Sequence, residues 1–202
     1  MYKNIIFDMS EVIITGIHGV EKDIESNFGI LADEYEKRRL EVNSLFLDVM
    51  RGKITENEYM AIFLKDTGWK TTEEDIKRII RNYLGRPIAG TKEIIQKLKN
   101  NNKYNLILLS DYPAEWKEEV LKKREELQIF NKKYFSCDFG LVKADLECFE
   151  YMIKDSKINP KETIFIDDYK NNIENAEKLG IKGILFKNAE QLEKELNILE
   201  II

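Results

Sequence analysis

The stretch Ile5-Ile6-Phe7-Asp8, near the start of the chain, places a carboxylate directly after an unbroken apolar run. Such a run is typical of a parallel strand that is buried on both faces. Because a charge is costly to bury, Asp8 is expected at the end of the strand rather than inside it. In an open α/β sheet, ligands bind at the carboxyl ends of the strands. Asp8 is therefore the first candidate for a chemical role.

Further apolar runs recur along the chain and alternate with segments of helical periodicity. They predict more strands, at residues 105–110, 133–139, 163–168 and 182–186. Strands that alternate with helices predict an α/β fold whose core is a doubly wound, Rossmann-like parallel sheet with right-handed crossovers. All strands of such a sheet have their carboxyl ends at the same edge.

The segment between the first two predicted strands contains no convincing strand. Residues 34–50 carry apolar side chains at helical spacing, and two helix starts follow, a capping box at Thr55 and a second start at Thr72. This pattern predicts a helical bundle inserted into the core, with the bundle at residues 15–86 and the core at residues 1–14 and 87–202.

Charge and hydropathy restrict the partners and the location of the protein. The 202 residues include 32 Lys and Arg and 37 Asp and Glu, for a net charge of −5, and these charges are dispersed along the chain. This distribution argues against nucleic acid or an anionic membrane as a partner. No apolar run approaches the length of a spanning helix, about 18 residues, and the first residues lack the long apolar stretch of a signal peptide. A cytoplasmic location is therefore expected.

Histidine and cysteine are too scarce for several common kinds of site. His18 is the single histidine, so HExxH zinc sites are excluded, and a Ser-His-Asp or Cys-His arrangement would have to use it. Its position between two glycines predicts a solvated loop residue rather than a substrate contact. Cys137, in a predicted strand, and Cys148, in a predicted helix, are expected to be free thiols. Any catalysis is thus expected to depend on carboxylates.

Polar side chains collect where three of the predicted strands end. The first strand ends at Asp8, the second at Ser110 and Asp111, and the one near residue 165 at Asp167 and Asp168. Carboxylates at one sheet edge repel each other and raise their pKa values unless a cation is bound, and their oxygens suit Mg²⁺. Alternatively, the acids only cap strands and helix starts. That alternative explains one aspartate well, but it explains poorly why four lie at matching strand ends.

Four segments, in order, resemble the motifs of the haloacid dehalogenase superfamily. They are IIFDMSEVI at residues 5–13, LLSD at 108–111, FGLVK at 139–143, and IFIDD at 164–168 followed by Asn172-Ile173. The predicted helical bundle lies where one subclass of the superfamily inserts a helical cap over the active site. Within the superfamily, the sequence is most similar to sugar-phosphate phosphatases of the epoxide-hydrolase N-terminal type, whose first motif can also lack its second aspartate.

The resemblance implies a Mg²⁺-dependent phosphatase that acts on a small phosphorylated metabolite, and a sugar phosphate is the expected substrate class. Asp8 would attack phosphorus and form an aspartyl-phosphate. Mg²⁺ would bind Asp8, Asp168 and the backbone carbonyl of Ser10, where it cancels repulsion between nucleophile and phosphate. Asp167 would orient Lys143 or the surroundings of the metal.

The resemblance also implies the residues that hold the phosphate. Ser110 and the backbone N–H of Asp111 would bind its oxygens, and Lys143 would neutralise the charge that spreads over them in the transition state. Asn172 is expected to cap the following helix rather than to bind metal. The protein is expected to act as a monomer or a homodimer.

The chain departs from the family pattern at three positions. Ser10 stands where the family usually has an aspartate that serves as general acid and base. A serine hydroxyl cannot titrate near pH 7, so a contribution of about 100- to 10,000-fold from proton transfer is lost. Ala144 follows Lys143 where proline is common. Asp111 replaces a frequent asparagine and places a negative charge beside the phosphate.

Two other functions stay open at this point. Because of Ser10, the chain could be a catalytically impaired member of the fold that binds a phosphorylated ligand or a protein. Carbon–halogen hydrolysis would also use an aspartate nucleophile, but without a metal, and the paired Asp167 and Asp168 count against it. The aromatic residues of the helical bundle are expected mostly to pack its core rather than to contact substrate: Tyr35, Phe46, Tyr59, Phe63, Trp69 and Tyr83.

Overall fold

Five parallel strands form the centre of the structure, a computed structural model that describes residues 1–30 and 43–202. Their order in the sheet is β3-β2-β1-β4-β5. The strands are β1 (Asn4–Phe7), β2 (Asn105–Ser110), β3 (Lys132–Phe135), β4 (Thr163–Asp167) and β5 (Lys182–Leu185). This sheet confirms the predicted doubly wound parallel fold, with β1 at the middle.

The register of the central strands brings the predicted site residues to one level. Phe7 of β1 is opposite Leu108 of β2 and Ile166 of β4. The next residue, Asp8, thus follows β1 at the height where its two neighbours end, at Ser110 and Asp167. Since the strands are parallel, these ends meet at the same edge of the sheet.

Helices cover the sheet and fill the segment between β1 and β2. They are α1 (Val20–Phe28), α2 (Asn43–Met50), α3 (Glu56–Thr67), α4 (Glu73–Tyr83), α5 (Thr91–Asn100), α6 (Ala114–Lys123), α7 (Ser136–Phe139), α8 (Leu146–Ser156), α9 (Lys170–Lys178) and α10 (Ala189–Ile198). Helices α1 to α4 lie in the helical segment, our name for residues 15–86. The first part of the helix predicted over residues 34–50 lies outside the described residues. No described helix has the length and apolar character needed to cross a membrane.

Two threonines begin helices of the helical segment, as their sequence context predicts. Thr55 accepts a hydrogen bond from the N–H of Glu58, and the Glu58 carboxylate accepts one from the N–H of Thr55, which completes the capping box. Thr72 accepts a hydrogen bond from the N–H of Asp75. These caps satisfy backbone donors that a helix start leaves unpaired.

The strand predicted over residues 133–139 is wrong in its second half. Strand β3 ends at Phe135, which pairs with Ser110, the last residue of β2. Beyond that point β2 offers no further backbone partner, and the chain turns into the short helix α7 instead. Cys137 therefore lies in a helix rather than in a strand, and it is a free thiol, as is Cys148 in α8.

Both faces of β1 are buried, as its apolar run predicts. Ile5 and Phe7 belong to the apolar cluster that includes Met60 of the helical segment. Ile6 belongs to a second cluster on the other face, which includes Phe149 and Phe165. The sheet thus carries a packed layer on each side, and only its edges are available for a ligand.

Two adjacent stretches connect the helical segment to the rest of the chain. The N–H of Thr15 donates to the carbonyl of Arg86 at 2.8 Å, and the N–H of Gly85 donates to the carbonyl of Thr15 at 2.9 Å. A third bond, 2.9 Å long, joins the N–H of Ile88 to the carbonyl of Ile13. The helical segment therefore leaves and returns to the sheet at neighbouring points, close to the end of β1.

Candidate active site

Asp8 is held in place at the end of β1. Its backbone N–H donates to the carbonyl of Ile166 at 2.8 Å, which continues the pairing with β4. Its Oδ1 atom accepts a hydrogen bond of 2.6 Å from the N–H of Met9. The side chain is buried, and its burial raises the pKa of Asp8 well above the ordinary value. The carboxylate therefore has a fixed direction and needs a positive partner.

Lys143 supplies that positive charge. It lies in the loop between α7 and α8, and its Nζ atom is 2.8 Å from Oδ1 of Asp8 and 2.7 Å from Oδ2 of Asp167. Although burial alone lowers the pKa of Lys143, the charges of Asp167, Asp8 and Asp111 raise it well above its ordinary value. The ammonium thus stays protonated between two carboxylates.

Asp167 has partners on both of its carboxylate oxygens. Oδ1 accepts hydrogen bonds from the N–H of Tyr169 at 2.7 Å and from Nδ2 of Asn172 at 3.1 Å. Oδ2 accepts hydrogen bonds from Lys143 and, at 3.1 Å, from the same Asn172 amide. This arrangement holds the Lys143 ammonium in one position.

Asn172 does not cap the helix that follows β4, so that prediction is wrong. The N-cap residue of α9 is Tyr169, and Asn172 lies within the first turn. Its side chain is buried and turns toward the strand end, where both oxygens of Asp167 accept from it. A buried carboxylate needs hydrogen-bond donors, and the Asn172 amide supplies one to each oxygen of Asp167.

Asp168 completes a group of three carboxylates. Oxygen atoms of Asp8, Asp167 and Asp168 all lie within 4.8 Å of one another. Burial and the charge of Asp167 raise the pKa of Asp168, while Lys143 and His18 lower it. The single ammonium of Lys143 leaves this group with an excess of negative charge, so its oxygens could hold a divalent cation.

Ser110 and Asp111 lie beside this group at the end of β2. The Ser110 hydroxyl is buried and has no hydrogen-bond partner among the described residues. The Asp111 carboxylate accepts from the backbone N–H of Lys143, with 3.1 Å to each oxygen. Burial raises the pKa of Asp111 to about 6. The carboxylate at this position thus forms hydrogen bonds with the backbone of the Lys143 loop.

A cavity of about 270 Å³ lies over these strand ends. Its polar wall contains five of the predicted site residues: Asp8, Ser10, Asp111, Lys143 and Asp168. The other two, Ser110 and Asp167, are not among the residues that line it. The helical segment adds an apolar wall with Ile17, Phe46, Met50 and Leu84. The arrangement suits a small anionic molecule with an organic part.

The comparisons with known proteins identify the family of this chain. A family model described as haloacid dehalogenase-like hydrolase matches residues 2–180. The chain belongs to the haloacid dehalogenase-like hydrolase family. The family membership expected from the four motifs is thereby confirmed, and the protein is a hydrolase.

Several proteins are similar to this hydrolase over nearly its whole length. It is 25% identical over 205 residues to D-ribitol-5-phosphate phosphatase of Bacteroides thetaiotaomicron, covering 98% of each chain. A structure of a predicted HAD-like hydrolase from Porphyromonas gingivalis matches with a TM-score of 0.80 and 26% identity, over 99% of this chain and 98% of that one. A HAD family enzyme from Bacteroides thetaiotaomicron, in complex with magnesium and inorganic phosphate, matches with a TM-score of 0.77 and 25% identity, over 93% and 96%.

The site of this hydrolase also contains residues that the sequence does not reveal. Tyr112 and Trp116 follow the second motif and line the cavity, as does Glu11, whose backbone has a positive φ of 58°. Glu11 accepts a hydrogen bond of 2.8 Å from the N–H of Gly16. A positive φ is uncommon at a non-glycine residue, and the sequence pattern does not indicate it here.

The structure separates the nominated aromatic residues. Phe46 lines the cavity, whereas Tyr59 and Phe63 are buried in the core, as predicted. Tyr35 lies outside the described residues. His18 is exposed, as expected of a loop residue, but it lies at the cavity wall, which its loop context does not predict.

Proposed function

We propose that this hydrolase is a Mg²⁺-dependent phosphatase that releases phosphate from a small metabolite, in the first place a sugar or polyol phosphate. The observation that carries the proposal is the Asp8 carboxylate, which ends β1 beside a buried ammonium, a second acid and an unpaired serine hydroxyl. The relation to a D-ribitol-5-phosphate phosphatase supports the class of substrate.

The donor set fits a magnesium ion. Asp8, Asp168 and the backbone carbonyl of Ser10 would hold it, since they offer the hard oxygen ligands that Mg²⁺ prefers. The hydrogen bonds on both oxygens of Asp167 favour its other role, which is to position Lys143. When bound, the ion lowers the repulsion between an anionic nucleophile and an anionic phosphate.

Asp8 acts as the nucleophile in this proposal. One of its carboxylate oxygens attacks phosphorus, the ester P–O bond breaks, and an aspartyl-phosphate forms as the ester oxygen leaves and takes a proton from water. A water molecule then attacks phosphorus, the bond between phosphorus and the Asp8 oxygen breaks, and inorganic phosphate leaves as the free carboxylate is restored. The contacts of Oδ1 with Met9 and Lys143 aim the side chain before the substrate arrives, which reduces the entropic cost of the attack.

Three further groups bind the phosphate. The Ser110 hydroxyl, buried and without a described partner, is free to donate to a phosphate oxygen. The backbone N–H of Asp111 would donate to a second phosphate oxygen. Lys143 keeps its charge and stabilises the negative charge on the equatorial oxygens. Because these donors are already oriented, little reorganisation is needed during the reaction.

Residues 15–86 act as a cap in this proposal, and residues 1–14 and 87–202 as the core. Their apolar wall faces the strand ends across the cavity. The contacts that join residues 15–86 to the core include the hydrogen bond that Trp116 donates to Glu56 at 2.7 Å and the ion pair of Arg51 with Asp145 at 2.8 Å. The cap would cover the organic part of the substrate and exclude water.

The cytoplasmic location and the monomeric or homodimeric state of the protein stay predictions.

A broad phosphatase assay tests the function. Purified protein is incubated with Mg²⁺ and with sugar, polyol, nucleotide and p-nitrophenyl phosphates, and released phosphate is measured. We expect release that chelation by EDTA abolishes and added Mg²⁺ restores. Asp8→Asn, which keeps the size of the side chain, should lose activity, whereas Asp66→Asn at an exposed position should not. Activity that survives in Asp8→Asn contradicts the proposal.

A second function is favoured by Ser10, which cannot transfer protons near pH 7. The protein would then bind a phosphorylated ligand without turnover. Binding of ligands from the same panel to wild-type protein, measured by calorimetry with no phosphate released, would establish this function instead.

A further inference from the structure

Tyr112 has a buried hydroxyl without a partner. The residue is 1% exposed, and its hydroxyl has no hydrogen-bond partner among the described residues. The same residue lies in the wall of the cavity above Asp8. Buried polar groups in folded proteins are nearly always paired, so a buried, unpaired hydroxyl in a residue of the cavity wall points to a partner that a bound ligand supplies.

The surroundings of Tyr112 hold its ring in position. Its backbone N–H donates to the Ser136 hydroxyl at 3.0 Å, and that hydroxyl donates to the carbonyl of Met50 at 2.6 Å. The ring packs edge-on against Trp116, with 5.8 Å between centroids and 80° between planes. Trp116 is itself held by its hydrogen bond to Glu56. The tyrosine is thus anchored on two sides, which limits its movement toward another partner.

The hydroxyl of Tyr112 is suited to donate a proton in a hydrogen bond, not to transfer it. Burial raises the pKa of Tyr112 far above its ordinary value, and the nearby charges of Asp8, Glu119 and Glu11 add to this effect, while Arg81 opposes it. The group therefore keeps its proton near neutral pH. Two of these charged residues, Asp8 and Glu11, also line the cavity.

We propose that Tyr112 selects the organic part of the substrate by donating a hydrogen bond to one of its oxygens. This inference rests on the proposed phosphatase function and adds a specificity residue outside the phosphate-binding groups. The wall of the same cavity includes the apolar side chains of Phe46, Met50 and Trp116, which suit the C–H face of a carbon chain. The class of substrate is therefore a phosphate monoester of a polyol or sugar, with one hydroxyl at Tyr112.

The test compares two phosphate esters with the same number of carbons. D-ribitol 5-phosphate carries hydroxyls along its chain, whereas n-pentyl phosphate has none. The preference is the ratio of kcat/KM for the first ester to that for the second. In Tyr112→Phe, which keeps the ring packed on Trp116, this preference should fall by about 5- to 30-fold, mainly through KM for the polyol ester.

A matched variant controls for loss of a tyrosine hydroxyl elsewhere. Tyr134 lies on strand β3, and its hydroxyl donates to Asp155 at 2.6 Å. Tyr134→Phe removes this hydroxyl and should leave the substrate preference unchanged. Thermal unfolding of the free proteins gives a second readout. Tyr112→Phe should melt no lower than wild type, because no hydrogen bond of the free protein is lost, whereas Tyr134→Phe should melt lower.

Several results would overturn the proposal. The wild-type enzyme could show no preference for the polyol ester, or Tyr112→Phe could keep the wild-type preference. A Tyr112→Phe protein that melts as low as Tyr134→Phe would also contradict the proposal. If wild type still hydrolyses p-nitrophenyl phosphate in those cases, the phosphatase function stands and only the role of Tyr112 fails. Without hydrolysis of any ester, the phosphatase function itself fails.

Discussion

The ammonium of Lys143 lies 2.8 Å from Oδ1 of Asp8, and both side chains are buried. On its other side the same ammonium is 2.7 Å from Asp167. One positive charge thus stands between two carboxylates that come from adjacent strands of the sheet. Removing either partner of a buried ion pair leaves an uncompensated charge, so this contact is important for stability as well as for the proposed chemistry.

Lys143→Met should nearly abolish phosphate release. The variant loses the charge that stabilises the phosphate in the transition state, and we expect kcat/KM to fall by about 100- to 1,000-fold. Released phosphate is measured with p-nitrophenyl phosphate and Mg²⁺. Lys161→Met, at an exposed position, serves as the control and should keep full activity. A Lys143→Met enzyme within about threefold of wild type would contradict the assigned role.

Ser10→Asp should accelerate the reaction. The substitution restores a carboxylate at the position where the family usually has its general acid and base. Since such groups contribute about 100- to 10,000-fold, we expect kcat to rise by at least about tenfold. Ser10→Asn has a similar size but cannot transfer a proton, and it should not gain activity. If both variants are equally slow, proton transfer at this position does not limit the enzyme.

Asp111→Asn should change how stability depends on pH. Burial raises the pKa of Asp111 from 3.8 to about 6, so between these values the folded protein binds more protons than the unfolded chain. Wild-type stability contributed by this group therefore falls as pH rises through that range. The asparagine variant has no carboxylate to ionise at this position. Its free energy of unfolding, relative to that of wild type, should therefore rise by about 2 kcal/mol from pH 4 to pH 7.

Urea unfolding at pH 4 and pH 7 measures this difference. Asp66→Asn provides the control, because its exposed carboxylate should give the same offset from wild type at both pH values. If the difference in free energy of unfolding between Asp111→Asn and wild type is the same at the two pH values, burial does not destabilise the Asp111 carboxylate.

Much of the fold follows from local pattern. The apolar runs that end at Asp8, Ser110 and Asp167 identify three adjacent strands, because a strand buried on both faces needs apolar side chains at successive positions. The capping threonine at Thr55 begins its helix as predicted, since the hydrogen bonds involved are local. The family membership was also predictable, from four short motifs in order.

Local pattern fails where the partner is distant in sequence. The end of β3 depends on where β2 ends, and residues 136–139 therefore form a helix that their own composition does not predict. Asn172 looks like a helix cap until the oxygens of Asp167 are placed beside it. Tyr112 looks like any other aromatic residue until the cavity and its unpaired hydroxyl are known.

By itself, then, the sequence determined the parallel sheet, the family, and the set of charged residues at the strand ends. Only the tertiary structure decided how they are paired: Lys143 between Asp8 and Asp167, Asp111 on the Lys143 backbone, and Tyr112 in the cavity wall. The physical reason is that periodicity and capping act over a few residues of chain. Hydrogen bonds and ion pairs act over a few ångströms of space, and only the folded sheet brings those residues within that distance.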